Sequence, residues 1–138
     1  MNVDSRKVLC NLTEFFIREK KSKAEVGINL LGMGLKVAPE KQDVEFGRLI
    51  YILGHLFGEQ KMYVRGEGLF ANARDVLEKT NKYEKVEMRF LFGNMLRQIE
   101  IRKKEGEEMI ERGKKEASEM PEWHPYLVNF FVPEMEFN

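Results

Sequence analysis

Apolar residues recur at intervals of three and four through most of the chain, and this spacing places them along one face of an α-helix. No run alternates apolar and polar residues with β-branched side chains, as a half-buried β-strand would. The pattern predicts an all-α protein with six helices, at about residues 4–19, 22–38, 43–59, 62–79, 81–101 and 102–120. Residues 126–131 form a short apolar segment that is a candidate for a seventh.

Capping residues agree with these limits. A side-chain oxygen just before a helix accepts a hydrogen bond from a backbone N–H group that the helix leaves unpaired. Residues able to do this stand at Ser22, Asp43 and Asn81, before three of the predicted helices. Pro39 and Pro121 mark helix ends, because the residue before a proline disfavours helical geometry.

The glycines carry a repeated pattern. The chain has 11 glycines and only 4 prolines, and every glycine falls within or at the edge of a predicted helix. A glycine inside a helix costs about 1 kcal/mol relative to alanine, so we expect close helix–helix approach as compensation. A small–large–small stripe at positions i, i+4 and i+7 occurs three times, at intervals of 39 and 40 residues: Gly27, Leu31 and Gly34; Gly66, Phe70 and Ala73; Gly106, Ile110 and Gly113.

The helices before the second and third stripes repeat as well. An apolar–glycine pair followed by an apolar residue occurs twice, 39 residues apart: Leu53-Gly54 with Phe57, and Phe92-Gly93 with Leu96. Two helices in about 40 residues are typical of an α-solenoid. The combined pattern resembles the tetratricopeptide repeat, in which a Leu-Gly pair and an aromatic residue on one helix meet a small–aromatic–small stripe on the next.

The resemblance is closest over residues 47–80. The period of about 40 is similar to the longer variant of the family, in which a His-Pro pair such as His124-Pro125 opens the next unit. The resemblance implies antiparallel helix hairpins stacked in a right-handed α-solenoid. We expect one domain with about three repeats, over residues 5–40, 43–80 and 82–120, and a C-terminal capping segment, 121–138.

In this family the first helix of each pair lines a concave groove that binds a peptide or a partner helix. Helical spacing assigns nine side chains of this chain to such a groove: Arg48, Tyr51, His55, Glu59, Glu87, Phe90, Asn94, Arg97 and Gln98. Their mixture of aromatic, charged and amide groups suits a peptide better than a phosphate backbone. The resemblance therefore implies a non-catalytic protein–protein interaction module, although any one of these residues alone is more simply explained as part of a solvated helix face.

Charge and composition narrow the function classes. The chain has 23 Lys and Arg against 23 Asp and Glu, so its formal net charge is zero, which argues against nucleic-acid binding. A single cysteine, Cys10, excludes an internal disulfide and a multi-cysteine zinc site. The apolar runs are too short to cross a bilayer, and the beginning of the chain does not resemble a signal peptide. These features predict a cytoplasmic protein without membrane association.

The sequence contains no motif for catalysis, a metal or a cofactor, and none of these is expected. Its two histidines, His55 and His124, belong to no metal- or phosphate-binding motif. Two alternatives to an interaction module remain open. One is a small helical enzyme or ligand-binding bundle with a pocket around His55, Glu59 and Asn94. The other is a self-assembling scaffold.

The last segment of the chain is rich in aromatic residues. Because the ends of a solenoid need protection, this segment is expected either to cap its own repeats or to cover a second copy of the chain and form a homodimer. The residues assigned to this capping or self-association are Trp123, Tyr126, Leu127, Phe130 and Phe131.

Overall fold

The computed structural model describes residues 12, 24–37, 43–79 and 83–119, and within them the regular structure is entirely helical. A 3₁₀ helix, Glu100–Arg102, precedes the last helix. None of the described helices is long and apolar enough to cross a membrane. The five α-helices are α1, Ala24–Val37; α2, Val44–Glu59; α3, Tyr63–Leu77; α4, Tyr83–Arg97; and α5, Lys103–Ser118.

Several expectations fall on other parts of the chain. Of the predicted helix over 4–19, only Leu12 is described, and it is helical. The predicted capping residues Ser22 and Asn81 lie outside the described residues, as does the segment 121–138. The homodimer through that segment therefore stays a prediction.

The predicted limits hold well for α2 and fail at the end of α4. Asp43 caps α2 as expected, accepting a hydrogen bond of 2.9 Å from the backbone N–H of Phe46. The prediction that the next-to-last helix continues to Ile101 is wrong, because α4 ends at Arg97. At Ile99 the backbone is extended, with φ −100° and ψ 112°, and an α-helix cannot contain that conformation.

The α-helices pack mainly against their neighbours in the chain. Helix α2 pairs with α3 and α4 pairs with α5, while α1 packs on α2, and α4 also contacts α2 and α3. The pairs are antiparallel hairpins, because contacts join the start of one helix to the end of the next, as the Arg89–Glu116 ion pair does between α4 and α5. Helices α2 and α4 run parallel, since Tyr51 bonds Glu87 and, further along both helices, a Cβ atom added at Gly58 would lie 2.9 Å from Met95.

The core lies on α2 and α4, which are buried on more than one face. Ten consecutive residues of α2, from Gly47 to Leu56, are buried. The second helix of each hairpin instead buries a single stripe. It contains the predicted residues, Gly66, Phe70 and Ala73 on α3 and Gly106, Ile110 and Gly113 on α5, and extends one turn further to Leu77 and Ala117.

Two glycine pairs bring the helices of each hairpin into close contact. A Cβ atom added at Gly54 would lie 3.1 Å from the backbone oxygen of Gly66, and one added at Gly66 would lie 3.0 Å from that of Gly54. The corresponding distances for Gly93 and Gly106 are 2.8 and 2.5 Å. The prediction that repeated glycines permit close helix approach is confirmed at both pairs.

That prediction is wrong for two other glycines. A Cβ atom added at Gly32 or Gly68 would have nothing within 4 Å. Both positions fall outside the repeated stripe. Close approach therefore does not extend to every helical glycine, and it is not limited to the repeated ones, because a Cβ atom added at Gly58 would lie 2.9 Å from Met95.

The 3₁₀ helix is held between the two hairpins by one arginine. Arg102 donates two hydrogen bonds of 3.0 Å to the carboxylate of Glu105 on α5 and also pairs with Glu67 on α3. These carboxylates raise the pKa of Arg102, and the bond from Arg102 lowers that of Glu105. The joint between α4 and α5 has five residues, two more than the joint between α2 and α3, and it contains this ordered turn.

Candidate functional site

Eight of the nine side chains assigned to a groove lie on α2 and α4, and the ninth, Gln98, directly follows α4. Three of the nine meet between the two helices. The hydroxyl of Tyr51 donates a hydrogen bond to Oε1 of Glu87. Nε of Arg48 lies 3.9 Å from the same oxygen. The carboxylate of Glu87 therefore joins a turn of α2 to the equivalent turn of α4.

Five of the nine are buried, so the expectation that they form open groove surface is wrong in this respect. Their exposed fractions are 4% for Arg48, 0% for Tyr51, 4% for His55, 2% for Glu87 and 1% for Phe90. Their proposed part in partner binding stays a prediction. Arg97 and Asn94 are half-buried, and Glu59 and Gln98 are exposed.

Burial has a different cause at different positions. Arg48, Tyr51 and Glu87 supply hydrogen-bonding and charged groups to one another, and mutual pairing is what makes burial of such groups tolerable. Phe90 is buried because its ring faces α5, where a Cβ atom added at Gly113 would lie 3.5 Å from the ring. Helical spacing places Phe90 on the correct helix and on the wrong side of it.

His55 is an uncharged group at neutral pH. It is 4% exposed, and desolvation by burial lowers its pKa to about 4. Its Nε2 atom lies 3.7 Å from Oε1 of Glu59, one helical turn away. Because the imidazole is neutral near pH 7, this contact is dipolar and not an ion pair.

Beyond this buried cluster, the α2/α4 face opens into a cleft. The cleft has a volume of about 310 Å³ and contains the three residues of the pocket alternative, His55, Glu59 and Asn94. The structure therefore brings together the residues that the sequence grouped. The other lining residues are Gly58, Lys61, Tyr63, Met95 and Gln98.

The amide of Asn94 has unused hydrogen-bonding capacity in this cleft. Its Oδ1 atom is buried, and no donor reaches it within the part of the chain that the structure describes. The neighbouring Gln98 donates a hydrogen bond of 3.4 Å to the backbone oxygen of Asn94. A buried acceptor without a donor is unfavourable, and this oxygen is too enclosed for a ligand in the cleft to reach unless the side chain rotates.

Sequence reasoning missed two sets of residues, one at the cleft and one at the opposite ends of α2 and α4. Lys61 and Tyr63 line the cleft because the joint between α2 and α3 is short and folds back beside the end of α2. Lys61 has a φ of 62°, in the left-handed region. Glu45 and Glu84 occupy equivalent first-turn positions, and each has one buried carboxylate oxygen without a hydrogen-bond donor among the described residues. Their spacing of 39 residues was the available signal.

A second cleft, of about 660 Å³, lies between α3 and α5 above α4. Its floor contains Met88, Phe92 and Met109, and its walls carry charges of both signs. Within the described residues no group of three or more His, Cys, Asp or Glu side chains is placed to hold a metal ion. The charged side chains around this cleft are Arg74, Asp75, Glu78, Arg89, Glu105, Glu108 and Arg112.

Comparison with known proteins gives no match to a protein-family model, a curated protein or a solved structure. The two hairpins of this chain nevertheless resemble each other, because both have a close glycine pair at the equivalent position.

Proposed function

We propose that this chain is a tetratricopeptide-like module that binds a peptide or a helical segment of a partner protein and is not an enzyme. The proposal treats α2–α3 and α4–α5 as successive repeats of an α-solenoid. Two observations support it. The close glycine contacts recur at equivalent positions of both hairpins, and the first helices of the hairpins lie parallel and in contact, as stacked repeats would.

The observation that carries the proposed site is the open cleft at the ends of α2 and α4. Asn94 on the last turn of α4 and Gln98 just after that helix both carry amide groups, and both line the cleft. An amide side chain can donate to a carbonyl and accept from an N–H group, so it matches both groups of a peptide main chain. Because Arg48, Tyr51 and Glu87 are buried, the proposed contact with a partner is confined to this end of the face.

A site-specific cross-link tests the proposal. A photo-reactive amino acid that replaces Gln98 is expected to cross-link a partner protein in cells. The same amino acid in place of Glu107, which is exposed on α5, is expected not to cross-link that partner. A peptide from the captured segment is then titrated against the wild type, an Asn94→Ala/Gln98→Ala variant, and a Lys103→Ala/Glu107→Ala control. We expect at least tenfold weaker binding for the first variant only, and equal binding by all three proteins would refute the proposed site.

A ligand-binding bundle is the second candidate function, and one observation favours it. The cleft volume of about 310 Å³ lies at the lower end of the range of small-molecule pockets. A small molecule that raises the melting temperature of the wild type but not of the Asn94→Ala/Gln98→Ala variant would support this candidate. No shift across a metabolite library, together with a partner cross-linked at Gln98, would decide for the interaction module.

A further inference from the structure

The exposed face of helix α1 differs in composition from that of α5. On α5 every exposed residue except Ser118 is charged. On α1 the exposed apolar side chains are Val26, at 42%, and Met33, at 62%. A solvated helix face is usually polar along its whole length, so the centre of the α1 face is suited to being covered by another helix. The exposed residues among those described on α1 are Glu25, Val26, Asn29, Met33 and Lys36.

Gly32 lies at the centre of this face and has no close neighbour from another part of the chain. A Cβ atom added there would meet nothing within 4 Å, unlike the glycines that join the helices of each hairpin. Glycine inside a helix is unfavourable relative to alanine, and close approach of a second backbone is a common compensation. A helix packed on the exposed face of α1 would supply that approach.

The charges on this face indicate which helix fits it. Helix α1 carries Glu25 in its first turn and Lys36 in its last turn. Successive residues are about 100° apart around a helix, so positions 25, 29, 32 and 36 form one stripe, centred between Asn29 and Gly32. A second copy of α1 that runs antiparallel about this centre places Glu25 opposite Lys36 at both ends. A parallel copy would place like charges opposite each other.

We propose that α1 packs antiparallel against α1 of a second copy of this chain and forms a symmetric homodimer. The same two-fold axis places Met33 beside Val26 of the other copy, because both lie on the same flank of the stripe. It also places Asn29 beside Gly32 of the other copy. Such an interface uses the same patch on both chains, so each contact occurs twice.

The size of the contact sets its expected strength. Helix α1 has 14 residues and is therefore about 21 Å long. One pair of helices of this length buries less surface than a standard protein–protein interface, so we expect a weak dimer with a dissociation constant on the order of 10–100 μM.

The dimer surface is separate from the cleft of the proposed function. None of the residues that line the cleft belongs to α1, so two chains joined in this way would present two clefts. A partner with two binding segments would then bind the dimer more tightly than it binds a single chain. The inference goes beyond the proposed function and does not depend on it.

Sedimentation equilibrium of the full chain over a range of concentrations measures the self-association. The decisive variants are the charge reversals Glu25→Lys and Lys36→Glu. Each converts both opposite-charge pairs of the dimer into like-charge pairs, and we expect each to weaken self-association about tenfold at low ionic strength. Mixing the two variants restores both opposite-charge pairs in a heterodimer, so the equimolar mixture should associate about as tightly as the wild type.

The variant Gly32→Ala tests the close approach of the two helices. Its methyl group meets nothing within the chain, so the fold should be kept. Between two copies the added Cβ atoms force the helices apart, and we expect about tenfold weaker self-association. Gly68→Ala is the matched control, because its Cβ atom is equally open, and it should leave self-association unchanged.

Three results would overturn the proposal. The first is a wild-type chain that stays monomeric at millimolar concentration. The second is a mixture of the two charge variants that associates no better than either variant alone. The third is a dimer that all three α1 variants leave unchanged, which would place the contact elsewhere, such as in the terminal segment that contains Trp123.

Discussion

Replacing Gly106 with alanine is the most direct test of the helix packing. A Cβ atom at this position would lie 2.5 Å from the backbone oxygen of Gly93, 2.8 Å from the backbone nitrogen of Arg97 and 3.0 Å from the Cβ of Leu96. The first two neighbours are main-chain atoms, which a change of side-chain rotamer cannot move. Helices α4 and α5 must therefore separate to admit the methyl group.

The expected magnitude follows from two opposing terms. Overpacking a close contact costs about 1–3 kcal/mol, and the backbone neighbours place Gly106→Ala near the upper limit. The higher helix propensity of alanine offsets about 1 kcal/mol of this cost. The net expectation is a loss of about 2 kcal/mol in the free energy of unfolding. Gly68→Ala is the matched control, since its Cβ would meet nothing within 4 Å, and it should gain up to about 1 kcal/mol.

Urea denaturation followed by circular dichroism measures both variants, and the difference between them is the decisive quantity. We expect the two alanine substitutions to differ by about 3 kcal/mol, with opposite signs relative to the wild type. Stabilisation by Gly106→Ala equal to that of Gly68→Ala would refute the close approach of α4 and α5.

Three further results are expected. Asp43→Ala should lower the free energy of unfolding by about 1 kcal/mol through loss of the cap on α2, and Asp43→Asn should restore most of it in the same denaturation assay. Tyr51→Phe should cost about 1–3 kcal/mol, because the carboxylate of Glu87 loses a buried donor; an unchanged urea midpoint would contradict this. The lowered pKa of His55, about 4 against 6.5, means that the unfolded chain binds the extra proton. Stability should therefore fall by about 3 kcal/mol from pH 7 to pH 4, and His55→Gln should remove that part of the slope.

Local signals in the sequence were sufficient to locate most of the helices. Asp43 caps α2 where its side chain predicts a start, because capping depends only on residues within one turn. The end of α4 is not decided locally. The 3₁₀ turn after it is stabilised by Arg102, whose partner Glu67 is 35 residues away. A contact at that separation leaves no trace in the periodicity of the intervening residues.

The candidate site, too, was predicted only in part. Helical spacing grouped His55, Glu59 and Asn94, and they line one cleft because α2 and α4 lie parallel with a 39-residue offset. Spacing did not predict that Phe90 faces α5. The side of a helix that faces a neighbour depends on where the neighbour packs, and periodicity alone cannot supply that.

By itself, the sequence determined the all-helical class, the repeated small–large–small stripe and the closely approaching glycine pairs. These features depend on residue size and on spacing along one helix, and both can be read directly from the sequence. The tertiary structure alone decided which polar side chains are exposed. Burial is a property of the packed helices together, and it enclosed Arg48, Tyr51 and Glu87 while leaving the cleft at Asn94 and Gln98 open.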